Sequence, residues 1–117
     1  MSDNDERKFS LLVDVDGTLA EYGGKWVDQK PIGDPLPYAV EAMQRLNKHF
    51  RIIIFSTRKP EEAEPWLRQH GIPYDQYVQK PLNFLIVDDR ALTFKGNWEK
   101  TLKEIDSFKP WHQGKPS

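Results

Sequence analysis

One short run constrains this chain more than any other. Residues 11–19 read LLVDVDGTL, an apolar segment that ends in two aspartates and a glycine. The apolar residues predict a buried β-strand, and Gly17 predicts the turn that follows it. Because the chain turns there, the carboxylates of Asp14 and Asp16 can both reach the open end of a sheet. Open α/β sheets bind ligands at that end, so the run predicts a ligand site.

Length and charge narrow the class of protein. The 117 residues suit one domain, 1–117, with a core at about 9–108 and loose ends at 1–8 and 109–117. The balance of 17 basic to 18 acidic residues gives no electrostatic footprint of a general nucleic-acid or membrane binder. No apolar run approaches the ~20 residues that span a bilayer, and the first eight residues are too acidic for a signal peptide. We therefore expect a soluble, cytoplasmic protein. The overall charge balance still allows a local basic patch.

The order of elements predicts the fold class. Helical and strand-like segments alternate after a loop or small flap rich in glycine and proline, which indicates a mainly parallel, three-layer, Rossmann-like α/β sheet with helices on both faces. The predicted strands are residues 9–15, 51–55, 77–78 and 84–87; the predicted helices are 37–50, one opening at 56–60 and reaching 70, and 98–108; the flap is 20–37.

Polar side chains follow each predicted strand. In a parallel sheet the carboxyl ends of the strands share one edge, so these side chains should converge on one site. The chain has no cysteine, so four converging aspartates indicate a hard cation with oxygen ligands, for which Mg²⁺ is the natural choice. The candidate residues are Asp14, Asp16, Ser56, Thr57, Arg58, Lys80, Asp88, Asp89 and Arg90.

The order of these motifs resembles the haloacid dehalogenase-like superfamily, whose members are mostly phosphohydrolases with a Rossmann-like fold. The similarity lies in DVDGT at residues 14–18, a Ser after the second strand, a Lys, and the late pair of aspartates, and it covers residues 9 to about 108. The resemblance implies that Asp14 is the nucleophile and Asp16 the general acid and base. It also implies that Ser56 binds phosphate, that Lys80 balances charge, and that Asp88 and Asp89 bind metal together with the first two aspartates.

Elementary chemistry agrees with that implication. Hydrolysis of a phosphate ester needs an in-line nucleophile, and a carboxylate such as Asp14 can form an acyl-phosphate that divides one difficult step into two. Asp16 could protonate the leaving oxygen and later deprotonate the attacking water. Ser56, Thr57 and Arg58 could bind the phosphate, helped by the N–H groups at the start of the next helix.

The chain departs from the family pattern in two ways. Only seven residues separate Lys80 from Asp88, where the family places a helix, so Arg58, Lys59 or Arg90 could supply the positive charge instead. The family's cap domain is also missing, which predicts an open site that suits a polymer end, a protein or a neighbouring subunit as well as a small phosphorylated metabolite. DVDGTLA and VDDR are also similar to the phosphatase half of polynucleotide kinase-phosphatases, which act on 3′-phosphates of nucleic acid ends.

Other interpretations of the same residues stay open. The first two aspartates could belong to an ordinary turn, Ser56 and Thr57 could cap the next helix, and Lys80 could be a surface lysine. A non-enzymatic, Mg²⁺-binding phospho-aspartate module, like a response-regulator receiver, uses the same residue types. In receivers, however, the paired acids come first, whereas here they come last. The sequence leaves the substrate and the oligomeric state undetermined.

Overall fold

A computed structural model describes residues 6–22 and 31–113 of the chain. Its sheet has three parallel strands, β1 (Phe9–Val13), β2 (Phe50–Ser56) and β3 (Gln76–Gln79), in the order β1-β2-β3. The register aligns Val13 of β1 with Ile54 of β2, and Ile54 with Tyr77 of β3. Helices flank this sheet, which confirms the predicted α/β, Rossmann-like class.

The three predicted helices are present, with local signals at their ends. They are α1 (Ala39–Asn47), α2 (Pro60–Gln69) and α3 (Trp98–Asp106). Pro60 occupies the first turn of α2, where its missing N–H has no partner to lose, and Gly71 follows the helix at φ +68°. The side chain of Asn97 caps α3 by accepting a hydrogen bond from the Lys100 N–H at 2.9 Å.

The core lies between one face of the sheet and the helices. Ile52 and Ile54, alternate residues of β2, are fully buried, as their period-two spacing requires. They share one cluster with Met43 of α1, Leu67 of α2 and Trp98 of α3. Each buried large aliphatic side chain stabilises the fold by about 1.5–3 kcal/mol, so this cluster holds the helices against the strands. None of the helices in the described ranges is long and apolar enough to cross a membrane.

The base of the predicted flap is a short antiparallel pairing beyond β1. Ala20 bridges to Pro35, the Glu21 N–H donates to the Asp34 carbonyl at 2.8 Å, and the Leu36 N–H donates to the Leu19 carbonyl at 2.8 Å. The flap's remaining residues, 23–30, with Trp26 among them, lie outside the described residues. The part of the flap that the structure describes is therefore a hairpin-like base fixed next to the aspartate loop.

The predicted strand at residues 84–87 is wrong. These residues form no strand, and the side chains of Leu85 and Val87 are 89% and 92% exposed. The physical reason is chain length. Parallel strands need a crossover of about a dozen residues, whereas only the four residues 80–83 lie between Gln79, the end of β3, and Phe84. The sheet therefore stops at β1, whose Leu12 is 55% exposed.

The two predicted loose ends are partly anchored. The Arg7 guanidinium binds the Asn47 carbonyl and the carboxylate of Asp75, next to the start of β3. At the other end, Pro110 is buried and His112 bonds to the Asp89 carboxylate. The outermost residues, 1–5 and 114–117, lie outside the described residues.

Candidate active site

A tight loop directly after β1 presents the first two aspartates. The Val15 carbonyl accepts hydrogen bonds from the N–H groups of Thr18, Leu19 and Ala20, at 2.9–3.2 Å. Gly17 turns the chain at φ +79°, a conformation that favours glycine. Val15 is fully buried between Asp14 and Asp16, which leaves the two carboxylates on the side away from the core. The loop thus fixes both aspartates at the carboxyl end of β1.

Asp14 is paired with Lys80. The Lys80 Nζ lies 3.3 Å from Asp14 Oδ1, which also accepts the Val15 N–H at 2.8 Å. Lys80 as a residue is only 5% exposed, and its Nζ lies 4.0 Å from the centre of the Phe84 ring and 5.2 Å from that of Phe55. This burial excludes the surface-lysine interpretation. It also places Lys80, instead of Lys59 or Arg90, beside the candidate nucleophile.

The environment of Asp14 disfavours its charged form. Burial raises the pKa of Asp14 above its usual range, although the charge of Lys80 and the hydrogen bond from the Val15 N–H oppose the shift. Its second oxygen, Oδ2, accepts no hydrogen bond within the described residues. One carboxylate oxygen is therefore fixed by two donors, and the other is open to a ligand.

Asp16 is held by Arg58, which follows β2. The guanidinium donates from Nε to Oδ2 at 2.7 Å and from Nη2 to Oδ1 at 2.9 Å, in a two-pronged pair. The Arg58 side chain is only 4% exposed, and Nη1 lies 3.6 Å from the Glu62 carboxylate on the first turn of α2. The hydrogen bonds to Asp16, helped by its charge, raise the pKa of Arg58 above its usual range although burial opposes the shift.

The residues between β2 and α2 hold Arg58 in place. Ser56 is buried, and its Oγ accepts the Arg58 N–H at 3.1 Å. The Tyr77 hydroxyl of β3 donates to the Arg58 carbonyl at 2.7 Å, and the Thr57 carbonyl accepts a hydrogen bond from Gln79. Ser56 and Thr57 thus lie at the site, as predicted. The Ser56 hydroxyl serves the turn that positions Arg58.

The start of α2 offers little to an anion. Pro60 has no N–H to donate, and Glu61 and Glu62 place two negative charges in the first turn. Both features oppose the attraction that helix N-termini usually exert on phosphate. The anion site expected from these N–H groups is therefore poorly equipped.

The last three candidate residues, Asp88, Asp89 and Arg90, lie apart from the residues around Asp14 and Asp16. Residues 88–90 are exposed, the Asp88 Oδ1 accepts the Arg90 N–H at 2.7 Å, and Asp89 bonds to His112. That hydrogen bond holds the pKa of Asp89 below its usual range. Because residues 84–87 do not join the sheet, nothing carries Asp88 and Asp89 to the carboxyl end of β1.

The predicted magnesium site draws its ligands from four aspartates that were expected to converge. Both oxygens of Asp16 already bind Arg58, one oxygen of Asp14 binds Lys80, and Asp88 and Asp89 have other partners. Across residues 6–22 and 31–113, no three acidic or histidine side chains converge as a metal site would require. The side chains as they lie do not fit a magnesium ion held by these four residues.

The cluster that does form contains two ion pairs. The carboxylates of Asp14 and Asp16 each face one buried cation, Lys80 and Arg58, and Glu62 adds one unbalanced negative charge at the rim. Sequence reasoning missed Tyr77 and Glu62 as members of this cluster. The register between β2 and β3 could have indicated Tyr77. Its partner in β2 is Ile54, which lies two residues before Ser56.

Comparison with known proteins supports the fold only. No protein-family model matches the chain, and no curated protein matches it. The chain is similar to the solved structure of a conserved protein from Bacteroides thetaiotaomicron, with a TM-score of 0.60 and 24% identity over 91% of this chain and 96% of that one. It is also similar to a crystal structure of a target from Vibrio cholerae, with a TM-score of 0.54 and 22% identity over 83% and 98% of the two chains. These likenesses extend over almost the whole length of both solved chains, and at such identities they show a shared α/β fold.

Proposed function

We propose that this chain is a phosphomonoester hydrolase that works through an aspartyl-phosphate on Asp14. One observation carries the proposal: Asp14 directly follows the first strand with Oδ1 fixed by Lys80 and by the Val15 N–H, while Oδ2 is open within the described residues. A carboxylate fixed in this way can aim its second oxygen at a phosphorus atom. The Lys80 ammonium would attract the phosphate and offset its charge.

The proposed reaction has two steps. In the first, Asp14 Oδ2 attacks phosphorus and the bond from phosphorus to the leaving oxygen breaks, so that an alcohol is released once that oxygen gains a proton. In the second, water attacks the same phosphorus, and the Asp14 carboxylate is regenerated as phosphate departs. Asp16, two residues after the nucleophile, is the group proposed to transfer protons in these steps.

Magnesium remains part of the proposal through the resemblance to the haloacid dehalogenase-like superfamily. Such an ion would supply charge neutralisation at the phosphate. No step is assigned to it here, because the four aspartates do not converge among the described residues. Lys80 and Arg58 are the cations that this arrangement itself supplies.

The test is phosphate release from p-nitrophenyl phosphate, sugar phosphates, nucleotides and 3′-phosphorylated oligonucleotides, each with Mg²⁺ or with EDTA. We expect the wild type to release phosphate and Asp14→Asn to lose at least about a thousandfold in kcat, because an amide is a poor nucleophile. Asp106→Asn, the same change at an exposed position at the end of α3, is the matched control and should retain full activity.

The other outcomes point to specific alternatives. A preference for 3′-phosphorylated oligonucleotides would indicate a polynucleotide 3′-phosphatase. Stable labelling of Asp14 by a phosphate donor, without turnover, would indicate a phospho-aspartate module. Absence of both release and labelling in the wild type would refute the proposal.

A further inference from the structure

Arg58 is the most completely engaged cation of the site, and sequence reasoning assigned it to phosphate binding. The geometry points to a different role: we infer that Arg58 is a positioning residue that fixes the Asp16 carboxylate and does not bind the substrate phosphate. This inference rests on the proposed function, because it concerns how the proposed proton-transfer group is held.

The guanidinium is committed to protein carboxylates. Its Nε and Nη2 bind the two oxygens of Asp16 at 2.7 and 2.9 Å, and its Nη1 lies 3.6 Å from Glu62. A phosphate that bound Arg58 would have to replace a two-pronged pair at a side chain only 4% exposed, and it would meet the charge of Glu62. Lys80, beside the open side of Asp14, is the better placed cation for a phosphate.

The backbone of Arg58 is fixed as firmly as its side chain. The Ser56 Oγ accepts its N–H at 3.1 Å and the Tyr77 hydroxyl donates to its carbonyl at 2.7 Å. These bonds tie the guanidinium to β2 and β3, so the pair with Asp16 links the aspartate loop to the body of the sheet. Arg58 therefore sets both the position and the plane of the Asp16 carboxylate.

Such placement matters for proton transfer. A group that gives or takes a proton must lie within hydrogen-bond reach of the reacting oxygen, and a displacement of about 1 Å can cost about a hundredfold in rate. If Arg58 acts only through Asp16, then removing Arg58 from a variant whose Asp16 has already lost its acid–base function should not lower the rate further. If Arg58 binds phosphate, the two losses should multiply, and substrate binding should weaken.

The experiment is a double-mutant cycle of Arg58→Gln, Asp16→Asn and the double variant, with kcat and KM measured on p-nitrophenyl phosphate and on glycerol phosphate. We expect Arg58→Gln to lower kcat about 10- to 100-fold with KM changed less than about threefold. The double variant should match Asp16→Asn within about threefold. Arg58→Lys, which keeps the charge without the two-pronged geometry, should recover part of kcat.

Two further measurements separate positioning from phosphate binding and from damage to the fold. The inhibition constant of orthovanadate, a phosphate mimic, should be unchanged in Arg58→Gln. Arg68→Gln, the same change on the exposed side of α2, is the control and should behave as wild type. All variants are compared by circular dichroism and urea midpoint. If Arg58→Gln is unfolded at the assay temperature, Arg58→Lys replaces it in the same cycle.

Two results would overturn the inference: a KM or vanadate constant that rises more than about tenfold in Arg58→Gln, or losses that multiply in the double variant. Either would make Arg58 a phosphate ligand. A wild type that hydrolyses no substrate would instead refute the proposed function, and with it the inference. The two failures are distinguishable, because only the second removes wild-type turnover.

Discussion

Two arginine–aspartate pairs lie at opposite ends of the sheet, and they show what distinguishes a structural end from a reactive one. At the amino end, Arg7 binds both oxygens of Asp75 at 2.9 and 3.1 Å, and Asp75 also accepts the Ile52 N–H at 2.8 Å and the Asn47 side chain at 3.0 Å. At the carboxyl end, Arg58 binds both oxygens of Asp16, but neighbouring Asp14 keeps one oxygen open within the described residues.

The two ends of the sheet shift the pKa values of their aspartates in opposite directions. At Asp75, burial raises the pKa, but the hydrogen bonds from Arg7, the Ile52 N–H and Asn47 outweigh it and hold the pKa below its usual range. At Asp14, burial prevails over Lys80 and the pKa rises. A fully bonded carboxylate stabilises the fold, whereas an incompletely bonded one reduces stability and remains reactive. The proposed nucleophile therefore lies at the end of the sheet where a carboxylate is incompletely bonded.

The largest effect on stability should come from removing the partner of the buried arginine. Asp16→Ala removes the two-pronged partner of the Arg58 guanidinium, a side chain that is 4% exposed. We expect a loss of about 3 kcal/mol in the free energy of unfolding by urea, because breaking a buried ion pair by removing one partner is costly. Asp88→Ala, which removes an exposed carboxylate, should cost less than about 0.5 kcal/mol. Equal losses in the two variants would show that Arg58 finds another partner.

A substitution at the amino end of the sheet should have a smaller effect on stability, and that effect should depend on pH. Asp75→Asn should lose about 1–2 kcal/mol at neutral pH, because it weakens charge-assisted hydrogen bonds. Since folding lowers the pKa of Asp75, its contribution is complete above the unfolded pKa of about 3.9 and disappears as the pH falls through the lower folded pKa. Urea unfolding of both proteins from about pH 7 to pH 2 should therefore show the difference shrinking only below about pH 4. A difference independent of pH would refute this account.

At Asp14 the same substitution should show the opposite dependence on pH. Because folding raises the pKa of Asp14, the wild type gains stability as the pH falls through the raised folded pKa. The free energy of unfolding of the wild type relative to Asp14→Asn should therefore rise, by less than about 1 kcal/mol, between about pH 7 and pH 4, because only the wild type takes up the proton. The measurement is urea unfolding of both proteins at these pH values. A difference that falls toward acid would mean that the pair with Lys80 outweighs the effect of burial.

Local patterns predicted the three helices and the first three strands because each has its own signal, such as the period of Ile52 and Ile54 or the glycine after α2. In a parallel sheet the carboxyl ends of the strands share one edge. The sequence therefore also predicted which side chains converge there: Asp14, Asp16, Ser56, Arg58 and Lys80. The pairing of Lys80 with Asp14 and of Arg58 with Asp16 did not follow, because several cations of similar reach compete, and packing decides among them. The strand at 84–87 was predicted from composition alone, although the connection from β3 was too short for a parallel crossover.

The smallest expected effect tests the clearest contrast in the molecule, between the paired residues of the site and the segment that carries Asp88 and Asp89. Val87→Ser should change the free energy of unfolding by less than about 0.5 kcal/mol, because the Val87 side chain is 92% exposed. Val13→Ser makes the same change at a core position that is 5% exposed, and it should cost about 2–3 kcal/mol. A cost above about 1.5 kcal/mol at Val87 would mean that the segment packs in solution. It would then bring Asp88 and Asp89 closer to Asp14, and the four-aspartate magnesium site would regain its physical basis.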